Sequence, residues 1–422
     1  MTTNESSPSL VSPLGRIKTW GWSSLFRHDA LHPYERLAVL LWAALLVGVT
    51  LRVAIARPNS GSVFNVYTDA AVNWVEGQPL YTLDFSRTCY RYPPLIAVSF
   101  VPWTALPDKV AGILWRWLGV ALLLAGMLVW VRRMGGNLSP ARRGLFFALV
   151  VPLAMPSVNN AQANVHLLGL LLLGLWAVRE ERWTLAAALI AAATLFKLYP
   201  IAIGLLVMVA YPRQFGWRFL GLLAVGLVLP FLAQRPDYVA GQYELWFQYL
   251  HGDDRHTASI EQTTRDLHLL LRVWFVSPPE WLYQFLQAGS AVGIALLCWR
   301  LARASCPKSI LLPLILNLGC VWMTLLGPST ESCTYTMLGP TIAGLLLLPT
   351  CPRSKFAHWT LLVGYGLLVV PVLAVAFPEG KRLQLWGPQP LGALLILGVI
   401  LAEQMRKHIA AEGGKSAAQT HQ

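Results

Sequence analysis

Residues 37–56 read LAVLLWAALLVGVTLRVAIA, an apolar run whose one charge, Arg52, lies near its end. A helix needs roughly 20 mostly apolar residues to cross the hydrocarbon layer of a bilayer, so this stretch predicts a membrane span. It starts too late and is too long for a cleaved signal peptide, and residues 1–36 before it are polar and rich in Ser and Pro. The run therefore reads as a retained first span behind a cytoplasmic tail, 1–36. Similar runs follow near 110–131, 144–161, 164–178, 184–197, 199–212 and 217–233, and then near 281–299, 310–327, 335–349, 358–377 and 389–403. The expectation is an all-α polytopic protein with about twelve spans. Residues 37–403 form a single integral-membrane domain, and 404–422 a second cytoplasmic tail.

The composition agrees. Only 13% of the 422 residues are charged and 55% are hydrophobic, whereas a soluble domain carries about 25% charged residues. That excludes a cytosolic enzyme, a disordered chain and a nucleic-acid partner. The net charge of +13 is spread between apolar runs, as an orientation signal would be, and is not gathered on a polar domain. Arg132, Arg133, Arg142 and Arg143 bracket one connection, Arg213 and Arg218 another, Arg300, Arg303 and Lys308 a third, and Arg353 and Lys355 a fourth. All of these, with both tails, are cytoplasmic in one alternating topology, provided that Pro93–Pro102 does not cross. In the competing topology that segment crosses and the double-arginine connection lies outside. The first obeys the positive-inside rule and leaves two large outer loops, about 57–107 and 234–280, with Trp74, Trp103, Trp246, Trp281 and Trp386 near the edges.

No acidic residue falls inside an apolar run, which disfavours ion-coupled transport. Arg52, Arg116 and His166 are the ionisable groups nearest to burial, and each is close enough to a span end to snorkel. The six cysteines have no metal-ligand spacing. Cys89 and Cys333 both fall in outer loops, where a disulfide is permitted, and two unrelated thiols fit equally well.

Polar clusters concentrate on the outer face. In NVYTDAAVNWVEGQPLY, Thr68 is placed to cap a short amphipathic helix starting at Asp69 and stopped by Gly77. Asp69 then either serves the helix dipole or has a chemical role. NNAQANVH puts Asn159, Asn160, Gln162 and Asn164 at a span end, a density of amides suited to a polyhydroxylated ligand. FKLYP carries Lys197 and Tyr199, and GPSTESCTY carries Glu331. In the second large loop, HGDDRH precedes EQTTRDLHLLLR, where Arg265 and Arg272 are candidate phosphate ligands.

In order, Asp69 in YTDAAVNWVEGQPLY, the YRYPPL segment, AQANVHLL and KLYP resemble the polyprenyl-phosphate-dependent mannosyltransferases of the bacterial GT-C type, glycosyltransferase family 87. The resemblance spans roughly residues 37–350. It implies a hexosyltransferase in the cytoplasmic membrane. Sugar, mannose in the family, passes from a polyprenyl-phosphate donor to a glycolipid or cell-envelope glycan on the non-cytoplasmic side. It makes Asp69 the general base of an inverting displacement. It gives the donor phosphate to Lys197 with Arg91 or Arg265, and sugar or acceptor to Tyr81, Tyr92, Asn160, Gln162, Asn164, Tyr199 and Glu331. The departing phosphate is a stable anion that needs positive charge rather than a second carboxyl group, so no metal and no cofactor are expected. This chain departs from the family in two places. GPSTESCTY lacks the Trp and His that many members place after the Ser-Pro turn, so Glu331 either replaces those contacts or is a solvated turn residue. The usual Gly before the Gln is Ala161. A lipid or solute transporter with an outer vestibule is the competing reading.

Overall fold

The computed structural model describes residues 31–56, 62–82, 89–134, 138–252, 255–256, 258–348, 353–377 and 379–419, with side chains to Arg406. Residues 1–30 of the expected N-terminal tail lie outside these. Every regular element among the described residues is helical. In chain order they are α1 (Pro33–Ile55), α2 (Phe64–Glu76), α3 (Pro94–Thr104), α4 (Asp108–Arg133), α5 (Pro140–Asn159), α6 (Asn164–Arg179), α7 (Trp183–Phe196), α8 (Ile201–Ala210), α9 (Trp217–Val228), α10 (Pro236–Gly252), α11 (Leu267–Trp274), α12 (Glu280–Arg303), α13 (Lys308–Leu325), α14 (Gly339–Leu347), α15 (Lys355–Ala374), α16 (Gly380–Leu383) and α17 (Pro388–Gln419). α17 runs on through the boundary expected at residue 403.

Eight helical segments are long and apolar enough to cross a membrane: α1, α4, α5, Pro212–Leu232 around α9, α12, α13, α15 and Pro388–Arg406 of α17. The remaining expected spans are shorter apolar helices: α6, α7, α8 and the continuous Ser332–Leu347 that ends in α14. α3 covers the Pro93–Pro102 stretch with 11 residues, about 17 Å at 1.5 Å per residue, roughly half the hydrocarbon thickness. A short helix is tolerated at membrane depth when protein surrounds it, and α6 is buried on nearly every face.

Glycines set how closely α6 approaches α4. A Cβ on Gly169 would sit 2.6 Å from the Leu122 carbonyl group, and one on Gly126 would sit 2.8 Å from the Gly169 carbonyl oxygen. Small residues permit this close helix contact where lipid offers no hydrophobic drive for association. Gly169→Leu is therefore expected to cost about 1–3 kcal/mol through overpacking, read as a lower thermal midpoint in detergent. Gly48→Leu is the control, because a Cβ there meets nothing within 4 Å.

Of the three ionisable groups nearest to burial in sequence, Arg52 is exposed, and Arg116 and His166 have partners within the bundle. The Arg116 guanidinium donates to the Val158 and Asn159 carbonyls (3.1 and 3.2 Å) and to Gly112 O (2.8 Å). It thereby caps the C-terminal end of α5, whose last carbonyls have no helical donor. His166 stacks on Trp115, with ring centroids 3.8 Å apart, and its Nε2 lies 3.0 Å from Trp115 O.

α2 corrects one expectation. It begins at Phe64 rather than at Asp69, because Phe64 and Tyr67 belong to the same buried stripe as Ala70, Ala71 and Trp74. Thr68 is not a cap: its hydroxyl donates back to the Phe64 and Asn65 carbonyls (3.4 and 3.2 Å). Asp69 thus lies in the second turn, beyond the reach of the helix N-terminal dipole. Gly77 does end the helix, at φ +69° with its N–H on Trp74 O.

Candidate active site

The α5–α6 turn, the α7–α8 break and the start of the Ser332–Leu338 helix meet at one end of the bundle. Ser157 Oγ, near the end of α5, donates to Cys333 O (2.9 Å) and accepts from Asn164 Nδ2 (3.3 Å). The turn between α5 and α6 is sharp because Ala161 adopts φ +53°, a region costly for any residue with a Cβ. Glycine would adopt this backbone without that cost. On the other side α7 stops at Phe196, where Lys197 is extended (φ −139°, ψ 143°), and Pro200 stands at the start of the next helix while disfavouring helical backbone at Tyr199 just before it.

Lys197 is the hub. Its Nζ donates to Gln162 Oε1 and Asn164 Oδ1, both at 3.0 Å. The Tyr199 hydroxyl donates to Asn164 Oδ1 at 2.8 Å. Gln162 Nε2 donates in turn to Glu331 Oε2 (3.2 Å), whose other oxygen pairs with Arg255 at 3.4 Å.

All of these groups but Asn164 line a cavity of about 190 Å³, together with Arg91, Tyr92, Trp246 and Cys89. Three cations against one carboxylate leave an excess of positive charge, which suits an anionic ligand. The YRYPP segment forms the aromatic wall. Arg91 Nε donates to the Tyr249 hydroxyl at 3.0 Å, and the Tyr67 and Tyr92 hydroxyls are 3.2 Å apart. The Tyr81 hydroxyl donates to Tyr92 O at 2.7 Å, so Tyr81 braces the wall from a buried position.

Of the residues expected from sequence, Arg91, Tyr92, Gln162, Lys197, Tyr199 and Glu331 line the cavity, and Asn164 bonds to two of them. Asn160 stands behind the turn, with Nδ2 3.6 Å from Cys333 Sγ. Cys333 is a buried free thiol, so the permitted pairing with Cys89 is not made. Arg265 does not line the cavity. Its guanidinium donates to the carbonyls of Ile260, Thr263 and Glu261 in its own loop (2.8, 3.3 and 3.1 Å). Arg272 likewise holds the His256 and Ala258 carbonyls. Arg255 takes the place expected of Arg265; the sequence signal was its presence in HGDDRH.

Asp69 is exposed and not in the cavity wall. It is three residues on from Val66, which does line the cavity, and residues at i and i+3 are neighbours on a helix surface. Asp69 therefore lies about one helical turn along α2 from the cavity wall. Withdrawal from water, and then the nearby Asp108 carboxylate, raise its pKa above the ordinary aspartate range. Among the described residues no three His, Cys, Asp or Glu side chains gather in a metal-ligating group.

Comparison with known proteins gives three findings. The family model of glycosyltransferase family 87 matches residues 90–328. The polyprenol-phosphate-mannose-dependent alpha-(1-2)-phosphatidylinositol pentamannoside mannosyltransferase of Mycobacterium tuberculosis is 31% identical over 183 residues, 39% of this chain and 41% of the relative. GPI mannosyltransferase 1 of Gibberella zeae is 35% identical over 141 residues, 32% of this chain and 31% of the relative. The chain thus matches less than half the length of either relative. Among solved structures, ArnT from Cupriavidus metallidurans in the apo state aligns over 86% of this chain and 76% of its own, at 16% identity and a TM-score of 0.37.

Proposed function

Because the chain belongs to glycosyltransferase family 87, whose model matches more than half of it, we propose that it transfers a mannosyl group from polyprenyl phosphate to a glycolipid or cell-envelope glycan. The cavity in which Lys197, Arg91 and Arg255 converge opposite Glu331 carries this reading. Both relatives are named as mannosyltransferases, and one as dependent on polyprenol-phosphate-mannose, which supports the sugar and the donor.

In this scheme the donor phosphate lies against Lys197, Arg91 and Arg255. An acceptor hydroxyl approaches over Val66 from the Asp69 side. The acceptor oxygen bonds to the anomeric carbon as the bond from that carbon to the phosphate oxygen breaks, with inversion. The hydroxyl proton passes to the Asp69 carboxylate, and the bonding pair leaves with polyprenyl phosphate. The basic side chains stabilise the charge that grows on the leaving oxygen, and the carboxylate supplies base catalysis. Gln162, Asn164, Tyr199 and Glu331 offer hydrogen bonds to sugar hydroxyls.

Protein reconstituted in lipid with radiolabelled polyprenyl-phosphate mannose is expected to move label onto an extracted glycolipid acceptor. Label transfer from a sugar nucleotide and not from the lipid phosphate overturns the donor assignment.

The arginine-rich connections lie at the end opposite the cavity, and the positive-inside rule supports the reading that the cavity faces the non-cytoplasmic side of the cytoplasmic membrane. Two partly exposed cysteines test this. Cys89 lines the cavity, and Cys306 follows α12 at the opposite end, beside Lys308. A membrane-impermeant maleimide on intact spheroplasts is expected to label Cys89, with Cys306 reacting only after permeabilisation. The reverse order inverts the topology.

A further inference from the structure

At the arginine-rich end, opposite the candidate active site, lies a second cavity of about 390 Å³. α4, α13, α14 and α17 enclose it, with Arg142 of α5 and Arg353 at its margin. Its groups are ordered by depth. Ser309 belongs to the first turn of α13, whose Lys308 start marks the interface. Asn317 of the same helix lies eight residues further in, about 12 Å along the axis. Thr341, only 1% exposed, also lines it, and its hydroxyl has no nitrogen or oxygen partner, only the Cys320 thiol beside it. Apolar wall comes from Trp130, Leu314, Leu345 and Ile400.

Polar groups at such depth in an apolar helix are costly, and their presence points to a ligand. The rim has Arg353 in an ion pair with Glu403, both under one-tenth exposed, and Arg142 exposed beside them, which leaves one net positive charge. A ligand matching this order is anionic at the rim, bears hydrogen-bond acceptors below for Asn317 and Thr341, and is otherwise hydrocarbon. A free inorganic anion has no use for the apolar wall. We propose that this cavity binds an anionic glycerophospholipid, its phosphate at Arg142 and its ester carbonyls on Asn317 and Thr341. Basic pockets between membrane helices hold anionic headgroups by the same physics. The proposal is independent of whether the outer cavity transfers sugar.

Native mass spectrometry of the full chain, delipidated and then incubated with phosphatidylglycerol or phosphatidylcholine, tests it. The expected result is one retained phosphatidylglycerol, at least fivefold above phosphatidylcholine. Arg142→Ala and the near-isosteric Thr341→Val each reduce retention at least threefold without lowering the thermal midpoint. Arg300→Ala, at the same end but outside the cavity, leaves retention unchanged. Equal retention of the two lipids, or an Arg300→Ala effect as large as that of Arg142→Ala, overturns the site. Polyprenyl phosphate, which has no ester carbonyls, is expected not to displace phosphatidylglycerol; displacement that depends on Thr341 overturns the glycerophospholipid assignment.

Discussion

Lys197→Gln is expected to lower kcat/KM for the lipid-phosphate donor by about 10²–10³, the range seen when one preorganised electrostatic contact to a developing charge is removed. The amine is held by two oxygens, Gln162 Oε1 and Asn164 Oδ1, at 3.0 Å each. Its position is fixed before any ligand arrives, so little reorganisation is spent at the moment of reaction. An anionic phosphate repays the desolvation of an amine held among buried groups. The loss should appear in kcat as well as in KM, because charge on the leaving oxygen is greater in the transition state than in the donor. Tyr199→Phe removes only the bond to Asn164, so it should cost no more than about tenfold, as expected for one neutral hydrogen bond. If Lys197→Gln binds and turns over donor like wild type while Tyr199→Phe is impaired, the amine is a structural brace and the phosphate lies elsewhere. A thermal melt on both variants separates misfolding from lost chemistry.

Much of this arrangement was legible in the sequence, for reasons specific to each element. Apolar run length fixes a membrane helix because lipid offers no partner for an unpaired backbone group, so α1, α4, α12 and α15 could be read directly. Run length fails at α6, α7 and α8, of 16, 14 and 10 residues, where neighbouring helices supply what a full span would otherwise need. The start of α2 was misread because Thr68 carries a genuine cap signal, and nothing local says that Phe64 and Tyr67 will be buried. The two loop arginines show the same limit more sharply. Arg255 and Arg265 sit ten residues apart in polar sequence, yet one reaches Glu331 and the other is consumed by three carbonyls of its own loop. Only the closed loop decides between them. KLYP and AQANVHLL succeeded because each pairs a backbone break with a fixed polar side chain, and two such breaks at one end of a bundle bring those side chains together.

Asp69→Asn is expected to lower kcat by about 10²–10⁴, the usual worth of a positioned general base, while leaving the affinity for the donor's lipid phosphate nearly intact. Asn keeps the shape and loses the proton acceptor, and Asp69 does not line the cavity whose cations are proposed to hold phosphate. Glu331→Gln should behave in the opposite manner. It removes the one negative charge among Arg91, Lys197 and Arg255, so polyprenyl phosphate should bind at least as tightly as before, with transfer reduced about tenfold or less through a weakened sugar contact. The acid side of the rate profile adds a second, independent signature. Asp69 acts as a base only when ionised, and its pKa is raised by partial desolvation and then by Asp108. The acid limb should therefore lie at higher pH than the value of about 3.9 typical of a free aspartate would place it. Asp108→Asn removes the like charge, so the acid limb should move to lower pH with the plateau rate nearly unchanged. Should Glu331→Gln abolish transfer while Asp69→Asn retains it, the base is Glu331, and the acceptor must reach into the cavity itself.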